Sequence, residues 1–282
     1  MEIRIEKNAL LTNPANHLDL LARQIRCKAI EISCKGASPH VGSALSCVDI
    51  LVAAYWGAMN IDPQHPNSPD RDRFILSKGH AATAIYAALA YRGFFPMDFL
   101  GTYNRENIGL PEHPSPRCAP GIEMSTGSLG HALSVGIGMA LASRINGVPY
   151  RSYVLMGDGE CNEGSVWEAA LFAPAHRIDN VIAIIDYNKW QASGRSDEVM
   201  SLNPLKQKWE SFGWSAQEVD GHDIGALIRV LKNVPDPSGK PVAVIAHTVK
   251  GKGVSFMEDD NNWHYRIPNE EDFIKAKKEL LP

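Results

Sequence analysis

A doubly wound α/β architecture, a mostly parallel sheet with helices on both faces, is what the patterning of this chain predicts. Three observations carry the prediction. Residues 152–157 and 181–188 are short apolar runs, rich in β-branched residues and closed by turn residues, as strands buried on both faces read. Between them residues 163–175 read as a helix with Val166, Trp167, Ala170 and Leu171 on one face. Strand, helix and strand in that order form a right-handed crossover with both strands running the same way. Strand-like and helix-like segments alternate through much of the chain, which is the signature of a layered α/β domain.

Taken in order, residues 1–16 form a leader containing Pro14, and residues 17–34 carry Leu18, Leu21, Ile25 and Ile32 at helical spacing. Ser46 and Asp49 have the spacing of a capping box that opens a second helix to about Met59. Residues 71–80 read as a strand running into a turn, and an Ala-rich helix follows to Tyr91. The stretch 94–120 is long, Pro-rich and irregular, and it contains His113; loops of that length in compact domains are usually functional or disordered. Residues 126–131 open a helix over 132–145 whose Gly and Ala content predicts close packing. Beyond the central crossover, 189–202 is a polar loop, and Asn203-Pro204 starts a helix with a cap residue and Pro in the first turn. Residues 214–219 and 241–247 are strands, with a helix over 223–232 between them. Lys250-Gly251-Lys252-Gly253 begins a second long loop through Trp263-His264, and a charged helix over 269–281 ends the chain. With no internal repeat and no linker, residues 1–282 read as a single domain.

Composition narrows the function classes. A net charge of −4, with 44% hydrophobic and 21% charged residues, is that of an ordinary soluble globular protein. It gives no reason to expect nucleic acid or a membrane surface as partner. No apolar run reaches the roughly 18 residues of a membrane span, and Met1-Glu2-Ile3-Arg4 lacks the apolar core of a signal peptide. Cys27, Cys34, Cys47, Cys118 and Cys161 are odd in number and form no C-x-x-C pair, which predicts a reduced, cytoplasmic setting. Cys161 has no evident basic partner and reads as a packing residue.

The chemistry concentrates at the central crossover. Asp158 leaves the end of one strand and Asn188, thirty residues on, the end of the next; ligands of open parallel sheets bind at those carboxyl ends. Gly157 and Gly159 let the backbone approach a ligand closely, and the helix start behind them offers N–H groups to an anion. Yet Asp158 places a carboxylate there. One phosphate charge about 4 Å from it would be repelled by roughly 4 kcal/mol at an effective dielectric of about 20. A hard divalent cation between them removes the conflict. An Asp oxygen, an Asn oxygen, a backbone carbonyl, phosphate oxygens and water suit Mg²⁺ or Ca²⁺. Gly-Asp-Gly alone is an ordinary turn; the two strands and the spaced Asn188 are what set this one apart.

Gly157-Asp158-Gly159, thirty residues and then Asn188 resembles the thiamine diphosphate motif of transketolase-like enzymes. Residues 157–170, Gly-Asp-Gly-Glu-Cys-Asn-Glu-Gly-Ser-Val-Trp-Glu-Ala-Ala, are similar to the transketolase version rather than the decarboxylase or dehydrogenase versions. The resemblance implies the thiamine diphosphate-binding PP-domain fold, with the cofactor held through Mg²⁺ (Ca²⁺ or Mn²⁺ substituting). It implies Asp158, Asn188 and the carbonyl of Trp190 as metal ligands, and Gly157, Gly159 and Glu160 beside the cofactor. Leu76-Ser77-Lys78-Gly79-His80 resembles the family segment whose His contacts the diphosphate, and Gly127-Ser128-Leu129 resembles a loop whose backbone lies along the cofactor. His40, His113 and His264 stand in turns similar to those that line the family's substrate channel, His264 also reaching the diphosphate. Histidine can donate or accept near neutral pH, as the hydroxyls and carbonyl of a ketose require. Departures from the family turns at Pro39, Val41 and Tyr265 bear on substrate shape rather than on the presence of the site. Glu163 matches a family Glu at the interface between cofactor sites, and reads equally as a helix-start carboxylate facing the dipole.

The resemblance covers only the first half of a transketolase. It implies the N-terminal subunit of a split enzyme, paired with a separate C-terminal subunit in an expected α2β2 assembly. That second chain would bring the catalytic Glu, an aromatic pocket and the Arg residues for sugar phosphate. The reaction implied is transfer of a two-carbon ketol unit from a ketose or its phosphate to an aldose, with the cofactor as electron sink. Alternatives are another split thiamine diphosphate enzyme, deoxyxylulose-phosphate synthase-like or acyloin-forming, and a non-catalytic cofactor-binding module. A dinucleotide-dependent oxidoreductase needs Gly-x-Gly-x-x-Gly, and Asn162 stands where its third Gly belongs.

Overall fold

Five strands, β1 (Arg73–Leu76), β2 (Ser152–Gly157), β3 (Val181–Tyr187), β4 (Ser215–Asp220) and β5 (Val242–His247), form one sheet in the order β1-β2-β3-β5-β4. Every pairing is parallel. This computed structural model describes residues 14–105 and 109–282, so most of the expected leader lies outside the described residues. The α-helices among them are α1 (Pro14–Lys35), α2 (Val41–Ser46), α3 (Val48–Ala53), α4 (Ala82–Arg92), α5 (Ala132–Asn146), α6 (Gly164–Ala175), α7 (Ser196–Met200), α8 (Leu205–Ser211), α9 (Ile224–Lys232) and α10 (Glu270–Leu280).

Alternation along the strands divides the core in two. Phe74, Leu76, Tyr153, Leu155, Ile182, Ile184 and Val244 enter one face with α1, α3, α4 and α9. Ile75, Val154, Met156, Ala183, Ile185 and Ile245 enter the other with α5, α6 and α8. The sheet is therefore covered by helices on both faces, as the patterning predicts. On α5, a Cβ at Gly136 would lie 2.4 Å from Val154 Cγ2, so glycine is what lets this helix sit down on β2. A third core joins α1, α2 and α10 to the loop after β5 through Val41, Leu45, Val254, Met257, Trp263 and Leu280. That anchoring gives a long loop a fixed shape. No helix among the described residues is long and apolar enough to cross a membrane.

Four local expectations are corrected. Ser46 and Asp49 do not form a capping box: Cys47 occupies the cap position of α3 with no side-chain bond to the helix start. α2 runs almost directly into α3, and both side chains have charged partners elsewhere. Ser46 Oγ donates to Asp186 at 2.6 Å, and Asp49 accepts from Arg26 at 3.0 and 2.5 Å. Asn203 does not cap α8; its Nδ2 donates to Asp197 at 3.0 Å. The polar loop 189–202 contains the short helix α7. On α6 the buried stripe is Val166, Ala169, Ala170 and Ala173, while Leu171 faces outward.

Candidate active site

β1, β2, β3 and β5 end along one edge of the sheet, and each releases polar side chains there. The innermost is Asp186, the sixth residue of β3, wholly buried. It follows Ile182 and Ile184 onto the same face, so the alternation that builds the core also carries a carboxylate into it. Such a group is costly unless paired. Lys78 ion-pairs with Asp186, and Thr248 Oγ1 donates to it. Ser46 donates at 2.6 Å and Asn188 Nδ2 at 3.2 Å. Burial alone would raise the Asp186 carboxyl, but the Lys78 ammonium and these hydrogen bonds outweigh it and hold the carboxyl below its ordinary value. Burial would lower Lys78, but Asp186 holds it above the ordinary amine value. Because Asn188 spends its N–H on Asp186, its oxygen orientation is fixed; Oδ1 accepts from Trp190 N at 3.1 Å.

Asp158, 1% exposed, caps the short turn Gly159–Asn162. Its Oδ1 accepts from Gly159 N at 2.9 Å, and its Oδ2 from Lys189 N at 2.9 Å and Ser196 Oγ at 2.8 Å. Burial, and then the neighbouring Asp186, push its carboxyl up to about 6, while Lys78 is engaged by Asp186. Glu160 is equally buried, and both its oxygens are taken by the protein. Oε1 accepts from Gly130 N at 2.8 Å and from Ser77 Oγ, and Oε2 accepts from Gly157 N at 3.2 Å. It braces the segments after β1 and β2 against the loop before α5.

The four predicted histidines meet. Ring centroids lie 4.9 Å apart for His40 and His264, 5.3 Å for His40 and His80, 5.4 Å for His80 and His264, and 6.5 Å for His40 and His113. His40 sits at φ 70° at the start of α2, with its N–H donated to the carbonyl of His264 at 3.0 Å. Lys250 Nζ donates to His264 Nδ1 at 3.1 Å and to Asn261 Oδ1 at 2.7 Å, leaving the imidazole proton on Nε2. Burial and then Lys250 push His264 down to about 3, and burial and then Lys78 push His80 well below its ordinary value. Burial also lowers His40. Burial and then Lys78 bring Lys250 down to about 8. Neutral imidazoles beside ammonium groups donate and accept hydrogen bonds rather than carry charge.

Gly127, at φ 121°, has room for nothing larger: a Cβ there would stand 2.7 Å from His113 Cδ2. Its N–H in turn lies where a Cβ at Gly79 would be 2.7 Å away. Segments 78–80, 113 and 126–130 are thus in close contact, with Ser128 exposed at the rim beside half-buried Leu129. Glu163 is the N-cap residue of α6, exposed and making no side-chain cap bond. Sequence reasoning does not single out Asp186, Lys78, Ser46, Thr248 or Lys250 as site residues.

A diphosphate with a divalent cation suits this edge. Asp158 is a buried carboxylate whose raised pKa a cation would reverse. Asp158, Asn188 and the Trp190 carbonyl are the oxygen donors hard cations take. Among the described residues no group of three or more His, Cys, Asp or Glu could hold a metal alone, so ligand oxygens would have to complete its shell. His40 Nδ1 and Thr126 Oγ1 are buried with no protein partner, as groups awaiting a ligand are.

Residues 18–281 match the family described as transketolase, thiamine diphosphate binding domain. The chain is 41% identical over 263 residues to one of the subunits of the apulose-4-phosphate transketolase of Phocaeicola vulgatus, with 93% of each chain covered. It is 43% identical over 259 residues to the 6-deoxy-6-sulfo-D-fructose transketolase subunit of a Clostridium species, covering 92% of this chain and 94% of that one. Its fold superimposes on transketolase from Leishmania mexicana with a TM-score of 0.87 at 29% identity, over 93% of this chain and 41% of that one. The chain therefore spans about two fifths of the length of that solved structure.

Proposed function

The chain belongs to the transketolase family through its thiamine diphosphate-binding domain, and we propose that it is the diphosphate- and metal-holding subunit of a two-chain ketol transferase. The observation that carries this reading is the meeting of His40, His80, His113 and His264 at the same sheet edge as Asp158 and Asn188. Thiamine diphosphate, when bound, supplies the electron sink for breaking and forming a carbon–carbon bond. Asp158, Asn188 and the Trp190 carbonyl hold Mg²⁺. His80, Lys250, His264 and the backbone at Gly127, Ser128 and Leu129 hold the diphosphate, with Gly157 and Gly159 allowing close approach. Glu160 acts through the backbone it braces.

The substrate channel is the histidine cluster. His264 presents a donor at Nε2 because Lys250 occupies Nδ1. His40 brings a ring nitrogen with no protein partner, and His113 stands 6.5 Å from it. Together these offer hydrogen-bond donors and acceptors to the hydroxyls and carbonyl of a ketose. The two relatives are named for ketoses bearing a phosphate or a sulfo group, which supports a donor with an anion at its far end.

The complementary C-terminal chain supplies the activating Glu, the ring pocket and the Arg residues for that anion. Relatives named as subunits, matched over 93% and 94% of their own length, support it. Val135 on α5 and Leu171 and Phe172 on α6 are exposed apolar side chains that association would cover, and Glu163 belongs to the two-fold α2β2 interface. Five free cysteines support a reducing, cytoplasmic setting.

Asp158→Ala tests the reading. In the assembled complex it abolishes Mg²⁺-dependent thiamine diphosphate binding by calorimetry while circular dichroism stays unchanged. A folded variant with near-normal cofactor affinity overturns the assignment.

A further inference from the structure

Two loops wall the site on its outer side, residues 188–196 after β3 and 248–264 after β5, and three side chains join them. Arg195 gives Asp259 two parallel N–H···O bonds, 2.7 Å to Oδ1 and 2.6 Å to Oδ2. Trp190 Nε1 donates to the same Oδ1 at 2.8 Å. The guanidinium lies 3.7 Å from the Trp190 ring centroid, so it stacks on the indole while it forks onto the carboxylate. Asn261 adds a bond to the carbonyl of Ala192 at 3.1 Å. Lys189 and Asp259 are both non-glycine residues in the left-handed region, at φ 68° and 57°. Such conformations persist where surrounding contacts over-determine them.

The clasp touches none of the histidines; what it holds is backbone. On one side Trp190 N donates to Asn188 Oδ1, and the neighbouring Lys189 N donates to Asp158. On the other side Asp259 N donates to the carbonyl of Lys250 at 2.8 Å, and Asn261 accepts from Lys250 Nζ. One ion pair thus fixes the segment carrying the Trp190 carbonyl relative to the segment carrying Lys250.

We propose that Arg195, Asp259 and the Trp190 indole form a positioning clasp that sets the Trp190 carbonyl and Lys250 for joint capture of a divalent cation and a diphosphate. The clasp rests on the metal reading given above and extends it to residues that make no contact with the ligand. Its removal loosens Trp190 and residue 259 from each other, so metal affinity falls, while His264 stays anchored by the His40 N–H on its carbonyl and by Trp263 in the third core.

The test is the Mg²⁺ concentration at half-saturation, at fixed thiamine diphosphate, followed by tryptophan fluorescence of the full chain in complex with its complementary subunit. Arg195→Ala and Asp259→Asn each raise it about tenfold, the scale on which outer-shell partners act on metal sites. The double variant raises it no further, because both single changes break the same pair. Arg195→Lys, which keeps the charge but not the fork, recovers part of the loss. The kcat at saturating Mg²⁺ and cofactor is unchanged in all of them. Asp158→Ala separates the two readings. If it abolishes binding while Arg195→Ala shifts the midpoint by less than about twofold, a difference within ordinary additivity error, the clasp is overturned and the metal assignment stands. If Asp158→Ala leaves the midpoint in place, both fall. Additive effects in the double variant, or a loss of kcat with no shift of the midpoint, overturn the clasp alone.

Discussion

Closing Lys189 N and Ser196 Oγ over Asp158 takes its carboxylate out of water, and burial with Asp186 near by lifts its pKa to about 6. A divalent cation needs the ionised form. The unfolded chain loses this proton near about 3.9, so the folded chain keeps it longer, and Asp158 withdraws stability as pH rises from about 4 to about 6. The buried histidines work in the opposite direction. Their folded pKa values lie below the ordinary 6.5, so the stability they contribute is present above that pH and is lost as pH falls, for His264 down to about 3. Cofactor binding reads the carboxylate most directly. Mg²⁺-dependent thiamine diphosphate affinity should be level above about pH 6 and fall by up to about tenfold per pH unit below it, one proton displaced per metal bound. Calorimetry between pH 5 and 8 checks this; an affinity that stays flat across that range removes Asp158 as the titrating ligand.

β3 delivers both Asp186 and, two residues later, Asn188, so the strand itself sets the spacing between the ion pair and the candidate ligand. Asp186→Ala should cost about 3–5 kcal/mol, because it leaves the Lys78 ammonium buried and unpaired; urea unfolding measures it. A loss under about 1 kcal/mol would mean that Lys78 finds another partner or water. The same element shows where sequence reasoning reaches and where it stops. β2, α6 and β3 are legible because a parallel crossover buried on both faces leaves continuous apolar runs and a helical stripe between them. Asp158 and Asn188 are legible because they end those runs. Asp186, a lone carboxylate inside such a run, needs a buried partner, but nothing local says which one. Its partners Ser46, Lys78 and Thr248 are 140, 108 and 62 positions away in the chain, beyond any local pattern. The capping-box expectation at Ser46 fails for a related reason: Ser46 ends α2 with its hydroxyl turned to the distant Asp186, and Cys47 takes the cap position of α3. The histidines are found by their Gly- and Pro-flanked turns and by family resemblance; that their rings meet within 4.9 to 6.5 Å is a product of topology alone.

On the proposed reading, the site among the described residues needs an acid from a second chain. The carboxylates buried at the sheet edge are all committed: Asp186 to Lys78, Glu160 to three protein donors, and Asp158 to backbone and Ser196. None of them can also serve as the acid that activates a cofactor ring, and the proposed reaction needs one. Val135, Leu171 and Phe172 are exposed apolar side chains that a second chain bringing that acid could cover. Native mass determination on the complex from its source cells should therefore find a roughly equimolar second chain in a two-fold assembly. The purified chain alone should show no ketol transfer, and activity should appear when the second chain is added. Ketol transfer by the chain alone, as monomer or homodimer, would overturn the division of labour, because one of the committed carboxylates would then have to leave its partners during turnover. A complex that assembles but stays inactive with phosphorylated and sulfonated ketoses alike would instead move the assignment to another thiamine diphosphate reaction on the same histidine channel.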